Sequence, residues 1–327
     1  MQIGLALPYA DYSVPGERPL RWPTITETAR RAEALGFASV WLADHLFGRL
    51  DRYGGTTDDW PTYDPLVALS GIARVTSRVR LGTLVLCAQL RPPALLAKVA
   101  AGLDVLSGGR LVVGLGAGWF EAEFAEAGIA FDRPGVRLRQ LADTIDELRA
   151  AFDGSAAVPL LPGPVQRPMP PVWVGGRGDR LLDVVAAHAD GWNTVWAMSP
   201  PEYQSRLAVL ADACERAGRD PATVTLSLGL HALAGESERD LAARFERMRR
   251  TAPAGVLDGV DLAQWRRTHL VGTTEQIAEQ LDEWRALGVA HLVVNDGAVP
   301  FSVTSPDDLD AIAAACRLEP ASDPTSF

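Results

Sequence analysis

A (β/α)8 TIM barrel in a single domain over residues 1–327 is the fold this sequence predicts, on three observations. Eight short apolar runs are each followed by a stretch with the apolar spacing of a helix, the alternation expected of an α/β fold. Composition does not shift between the two halves, so nothing marks a domain boundary. Residues able to bind ligands or do chemistry fall at the C-terminal ends of several runs, and in a closed barrel those ends converge on one face. A doubly wound sheet would give the same alternation but would spread the ends along a line.

Residues 3–7 make the first strand, stopped by Pro8. Ile25, Ala29, Ala32 and Leu35 mark a helix face, and Gly36 suits its C-terminal end. Residues 39–42 are the second strand, running into Ala43, Asp44 and His45. The connection 46–63 is too long for an ordinary loop and is expected to be a lid or disordered. A helix over 65–75 leads to the third strand, 79–86. Pro92 and Pro93 open a helix with Leu95, Val99, Leu103 and Leu106 on one face, ended by Ser107, Gly108 and Gly109.

The fourth strand, Leu111-Val112-Val113, breaks into Gly114-Leu115-Gly116-Ala117-Gly118-Trp119 before a helix restarts. Glycines there let backbone approach a ligand, and the helix start adds free N–H donors that suit a phosphate. A tight turn has the same local composition. The dinucleotide fingerprint is not met, because Trp119 stands where its third glycine belongs. Leu138, Leu141, Ile145, Leu148 and Phe152 give the next helix, and 154–171 reads as a loop. The fifth strand, 172–174, breaks into Gly175-Gly176-Arg177-Gly178, and a helix over 181–188 leads to the sixth, 191–195. A helix over 201–217, a seventh strand over 224–231 and a charged helix over 238–250 follow. Residues 251–271 show no period and are expected to be an insertion. Thr273 to Gln276 has the spacing of a capping box for the helix of Ile277, Leu281, Trp284 and Leu287. Residues 291–295 are the eighth strand, 306–317 the last helix, and the tail from Glu319 is expected to fray.

The formal net charge of −10 argues against nucleic acid or an anionic membrane as partner, so an anionic ligand must be held by local donors. Cys87, Cys214 and Cys316 lack CxxC spacing and read as core residues in a reducing compartment. The start of the sequence enters a strand without signal-peptide features, and no apolar run reaches membrane-spanning length. A cytoplasmic protein is expected, with a small-molecule partner; a homodimer is compatible with the sequence. Asp44 and His45 carry the most plausible catalytic chemistry: an imidazole moves protons near neutral pH, and the carboxylate can bond a ring or substrate. The bland alternative is an aspartate capping the next loop over a packed histidine. His188, His231, His269 and His291 have no metal spacing, although His231, at its strand end, could touch substrate. Trp119 and Trp196 suit a pocket wall or simple packing, and Arg249-Arg250 and Arg266-Arg267 read as solvated helix faces.

The order of motifs resembles the bacterial-luciferase-like flavin and deazaflavin oxidoreductases. The matching pieces are Val40-Trp41-Leu42-Ala43-Asp44-His45, Leu81-Gly82-Thr83-Leu84-Val85, and Leu106-Ser107-Gly108-Gly109-Arg110 running into the glycine turn. Pro171-Val172-Trp173-Val174-Gly175-Gly176, Ala189-Asp190-Gly191-Trp192-Asn193 and Val271-Gly272-Thr273 complete the series. Within the family the chain is most similar to the branch using coenzyme F420, with FMN-dependent enzymes as near relatives. The resemblance implies a bulge with a non-proline cis peptide at Leu84-Val85, backing the flavin ring. It implies a phosphate cradle at Gly175, Gly176, Arg177 and Gly178, helped by Ala117 and Gly118. Cofactor contacts are further implied at Asp44, Trp119, Thr194 and Val195.

Two departures bear on activity. Trp119 replaces the glutamate acid of sugar-phosphate dehydrogenases in the family, and Ala117 replaces the arginine that holds FMN phosphate in bacterial luciferase. The expected function is therefore F420-dependent hydride exchange with a small organic substrate. An FMNH2-dependent monooxygenase and a non-catalytic flavin-binding protein are the alternatives.

Overall fold

A computed structural model describes residues 1–320; part of the tail expected to fray, residues 321–327, lies outside them. The strands are β1 (Gln2–Ala6), β2 (Ser39–Leu42), β3 (Arg80–Thr83), β4 (Leu86–Cys87), β5 (Leu111–Gly116), β6 (Val172–Gly175), β7 (Gly191–Thr194), β8 (Thr225–Gly235), β9 (Leu270–Thr273) and β10 (His291–Asn295). All pairings are parallel, and β10 pairs with both β1 and β8, which closes the sheet on itself. Of the ten strands, β4 continues β3 and β9 lies off the ring, leaving the eight of a (β/α)8 barrel.

The helices are α1 (Trp22–Ala34), α2 (Pro65–Ala73), α3 (Pro93–Ser107), α4 (Glu121–Glu126), α5 (Pro134–Asp153), α6 (Asp179–His188), α7 (Pro200–Arg216), α8 (Glu238–Thr251), α9 (Leu262–Arg266), α10 (Thr274–Ala286) and α11 (Pro306–Ala315). Asp64 caps α2 through the N–H groups of Leu66 and Val67, and the Thr273–Gln276 capping box forms at α10. Among the described residues no helix is long and apolar enough to cross a membrane.

One expectation needs correction, and two irregular segments take definite form. Leu95, Val99 and Leu106 of α3 are exposed, and the helix instead buries Leu96, Ala97, Ala100, Ala101, Leu103 and Asp104. Small side chains let α3 sit close to the barrel, and the Asp104 carboxylate is buried because it accepts from the N–H groups of Val165 and Gln166 and from Gln166 Nε2. The aperiodic 251–271 segment carries structure of its own. It contains α9 and the start of β9, which pairs with the outer half of β8 over a separate core of Leu233, Leu241, Phe245, Met248, Leu257, Trp265, Val271 and Ala298. The 46–63 connection is ordered, with Gly48 bridged to Trp60 and Thr62 to Ala10.

Trp41 on β2 and Trp173 on β6 stack with ring centroids 5.2 Å apart. These strands are not neighbours, so the stack crosses the barrel interior. Glycines make the room: a Cβ on Gly82 would overlap the Trp41 ring, and one on Gly191 would lie 2.7 Å from Trp173 Cδ1. His291 packs edge-on against both indoles. Trp41 Nε1 donates to Ser39 Oγ at 2.7 Å, and that hydroxyl sits 2.8 Å from His291 Nε2. Since Ser39 accepts from the indole, its own hydrogen goes to the unprotonated imidazole nitrogen. Burial first, with Arg80 nearby, pushes the His291 pKa down to about 3.

Two predictions follow from this floor. Gly82→Ala should destabilise the protein by about 1–3 kcal/mol through overpacking, read as a lower urea midpoint at unchanged m-value; a midpoint equal to wild type contradicts the packing described. The second concerns acid. Between the unfolded value of 6.5 and about 3, the unfolded chain binds a proton at His291 that the folded chain does not. Stability should therefore fall as pH drops through that window, and His291→Gln should remove about 1.4 kcal/mol per pH unit from the slope. Urea titrations across the window, giving the same slope for both proteins, would count against a neutral His291.

Candidate functional site

The C-terminal strand ends open into a cavity of about 570 Å³. Its floor is shaped by the third barrel strand. Four residue steps separate Gly82 from Leu86, while three separate their β5 partners Val112 and Leu115, so one extra residue bulges from the ladder. The Leu84–Val85 peptide in that bulge is cis, as is Val195–Trp196, which the sequence did not lead us to expect.

Val85 occupies space left by glycine on the next two strands. A Cβ on Gly116 or Gly175 would come within 2.7 Å of a Val85 methyl group. A Cβ on Gly118 would meet Phe124 and Cys87 Sγ at 2.6 and 2.8 Å, and one on Gly176 would meet Leu181 at 2.8 Å. Protein side chains thus fill the space on the Cβ side of Gly116 and Gly118, while the two glycines themselves line the cavity. Only Gly178, of the second glycine run, looks onto open space through 4 Å. Its backbone N–H and that of Arg177 have no acceptor among the described residues, whereas the Gly176 N–H donates to Asn193 O at 3.0 Å. Both free groups precede α6, where the helix dipole adds partial positive charge. The exposed Arg177 guanidinium donates to the carbonyls of Val195 and Ala197. Ala117 accepts through its carbonyl from Arg137 Nε at 3.1 Å.

Asp44 and His45 both line the cavity, but they are not partners. The buried Asp44 carboxylate accepts two hydrogen bonds from Arg91, at 2.6 and 2.9 Å, and one from the Cys87 N–H at 3.0 Å. That bidentate pair has Asp44 hold the loop after β4 while the residue also lines the cavity. The carboxylate beside His45 is Glu123 of α4, with Oε2 2.9 Å from Nδ1, and its Oε1 also accepts from the Leu46 N–H at 2.6 Å. A carboxylate only accepts, so His45 Nδ1 carries the hydrogen and Nε2 keeps its lone pair. Among the described residues Nε2 has no hydrogen-bond partner. Trp119, 47% exposed, presents its edge to His45 at 5.7 Å, stacks on Phe120 and lies under Arg52.

Thr194 and Asn193 lie on the wall opposite, both buried, and neither Thr194 Oγ1 nor Asn193 Oδ1 has a partner. Val195 follows them along the cavity lining. Burial pushes the Cys87 thiol up to about 11, so it stays protonated at neutral pH. Glu123 was missed in the sequence. Its signal was available: an acidic residue beside Phe124 in the first turn after a glycine-rich strand end, on the face that turns inward. Tyr9, His269 and Trp265 also line the cavity without having been singled out for it.

Known proteins fit this architecture. A mycobacterial phthiodiolone/phenolphthiodiolone dimycocerosates ketoreductase, from Mycobacterium tuberculosis H37Rv, is 25% identical over 360 residues, covering 90% of this chain and 93% of that protein. An F420-dependent secondary alcohol dehydrogenase, solved with an F420–acetone adduct, superposes with a TM-score of 0.74 at 19% identity, covering 98% of each chain. An EDTA monooxygenase from Chelativorans sp. BNC1 gives 0.74 at 17% identity, over 97% of this chain and 93% of that one. At such identities the structural likeness speaks for the fold. Residues 1–291 match the family described as luciferase-like monooxygenase, and the chain belongs to that family of oxidoreductases and monooxygenases.

Proposed function

We propose that this chain is an F420-dependent oxidoreductase that interconverts a small alcohol and its ketone in the cytoplasm. The observation that carries the reading is the His45–Glu123 pair on the cavity wall, a group able to transfer a proton. When bound, the deazaflavin supplies a hydride donor or acceptor and does not readily activate oxygen. In alcohol oxidation, hydride leaves the carbinol carbon while the hydroxyl proton passes to His45 Nε2. Glu123 stabilises the imidazolium that results, as a carboxylate does for any histidine base held by its other nitrogen. In ketone reduction the same nitrogen returns the proton to the oxygen. The names of the ketoreductase and the secondary alcohol dehydrogenase favour this substrate class.

The residues present suit the coenzyme. Val85 and the Leu84–Val85 bulge offer one apolar face for a flat ring, and Asn193 Oδ1 and Thr194 Oγ1 are buried polar atoms that lack partners. Arg177 and Gly178, ahead of α6, would hold a phosphate through their free N–H groups. Ala117 brings no cation to that phosphate, which weighs against FMN. The second reading, an FMNH2-dependent monooxygenase, draws on the likeness to the EDTA monooxygenase.

Equilibrium titration of the purified protein should show F420 binding roughly tenfold or more tighter than FMN, the worth of one charge-assisted phosphate contact that FMN would lack. Equal affinities, or a preference for FMN, would turn the assignment toward the monooxygenase. His45→Ala should lower kcat by about a hundredfold or more, and Glu123→Gln by roughly tenfold, with coenzyme affinity within about twofold of wild type. Unchanged kcat in His45→Ala, measured by bleaching of the oxidised coenzyme in the presence of alcohols, would leave His45 a structural residue only.

A further inference from the structure

The cavity holds two more imidazoles that proton transfer does not use. His231 lies on β8, and His269 directly precedes β9 at the end of the 251–271 segment. Their rings stand edge to face with centroids 5.0 Å apart, and both line the cavity. His231 Nδ1 is 2.7 Å from Gly297 O, and His269 Nδ1 is 2.7 Å from Trp265 O. A carbonyl only accepts, so each Nδ1 carries the hydrogen and each Nε2 keeps a lone pair. Neither Nε2 has a hydrogen-bond partner among the described residues. Trp265 fixes the pair, stacking on His269 at 4.0 Å and meeting His231 at 5.1 Å. An aromatic wall links this end to the His45 end through Trp196, Phe301 and Tyr9, at successive centroid distances of 5.2 and 5.4 Å.

We propose that His231 and His269 form a substrate subsite that accepts hydrogen bonds from a neutral hydroxyl, so that the substrate is a hydroxylated ketone or a diol. This rests on the alcohol–ketone reading above, in which the reacting oxygen belongs at His45 Nε2; the hydroxyl read here is a second one. Two unpartnered lone pairs on the cavity lining call for donors. A carboxylate has none to offer either Nε2. An ammonium group has donors, but the burial that pushes the His231 pKa down to about 3, and lowers that of His269, opposes any cation at this place. A hydroxyl donates without charge.

The test is made on the whole protein, labelled with nitrogen-15 and free of coenzyme. Long-range proton–nitrogen spectra report each imidazole nitrogen, with signals assigned from His231→Phe and His269→Phe. Hexane-1,2-diol, hexanoate and hexylammonium are the probes. Both histidines should show the Nδ1–H tautomer, and the diol should move both Nε2 signals in the direction of an accepted hydrogen bond. Hexanoate and hexylammonium should bind at least about tenfold more weakly, and His269→Phe should weaken diol binding read at His231 by about fivefold or more. A charged probe binding as tightly as the diol, or Nε2 signals that stay fixed up to the diol's solubility limit, overturns the proposal. Should His231→Phe fail to fold, the less buried His269→Phe supplies both the assignment and the affinity change. The measurement uses no coenzyme, so its failure and a failure of F420 binding are separate results.

Discussion

Trp41 and Trp173 stack across the barrel because Gly4, Gly82 and Gly191 leave the volume that their rings occupy. Large rings in a closed barrel need small residues on the strands that face them, since protein interiors tolerate neither overlap nor voids. One layer higher, the same rule makes the site. Val85 fills the room over Gly116 and Gly175, and the bulge that carries it interrupts the ladder between β3 and β4. Two of the glycines that look like ligand contacts in the sequence, Gly116 and Gly175, are the negative image of a valine. Their effect on a ligand is indirect: they set how far the Val85 ridge projects into the cavity.

Charge is divided between two acidic residues at the mouth. Asp44 faces Arg91, which also bonds Asp64, the cap of α2, so one guanidinium ties the loop after β4 to the helix after β2. Glu123 takes the histidine and the Leu46 N–H together. Had Asp44 been the histidine's partner, Arg91, half-buried, would have lost its bidentate acceptor and kept only the contact to Asp64. The separation gives one carboxylate to architecture and leaves the other beside the group that can move a proton.

Strand positions were legible because parallel barrel strands are buried on both faces and read as unbroken apolar runs between helices. Helix faces were less so. On α3 the large residues Leu95, Val99 and Leu106 share a face, yet alanines and Asp104 make the close contacts, and size alone misleads when a helix packs through small side chains. Asp44 and His45 are adjacent in sequence, but consecutive residues leaving a strand point to opposite sides, and the partner of His45 comes from a helix 78 positions away, which adjacency could not show. The 251–271 segment hid its helix because α9 is only five residues long, too short for a period to show.

The irregular segments carry what the barrel strands do not. Gly54 and Gly255 hold positive φ angles of 83° and 86°, and a Cβ on Gly54 would lie 3.1 Å from Gly255 O, so the 46–63 connection and the 251–271 segment meet backbone to backbone. Arg52 and Tyr53 from the first, and Val256, Trp265 and His269 from the second, line the cavity beside the strand-end residues. The strand ends thus present the Val85 ridge, the free N–H groups before α6 and the His45 and His231 imidazoles, while the two segments add Arg52, Tyr53, Trp265 and His269. Backbone geometry constrains the first set, because moving Val85 would open voids over two glycines. Trp265 sits on a segment with its own small core, which joins the barrel through Leu233 of β8, and Trp265 and His269 pack on His231 of the same strand. The floor of the cavity is thus set within the ring of strands, and this side of its wall by a segment braced against one of them.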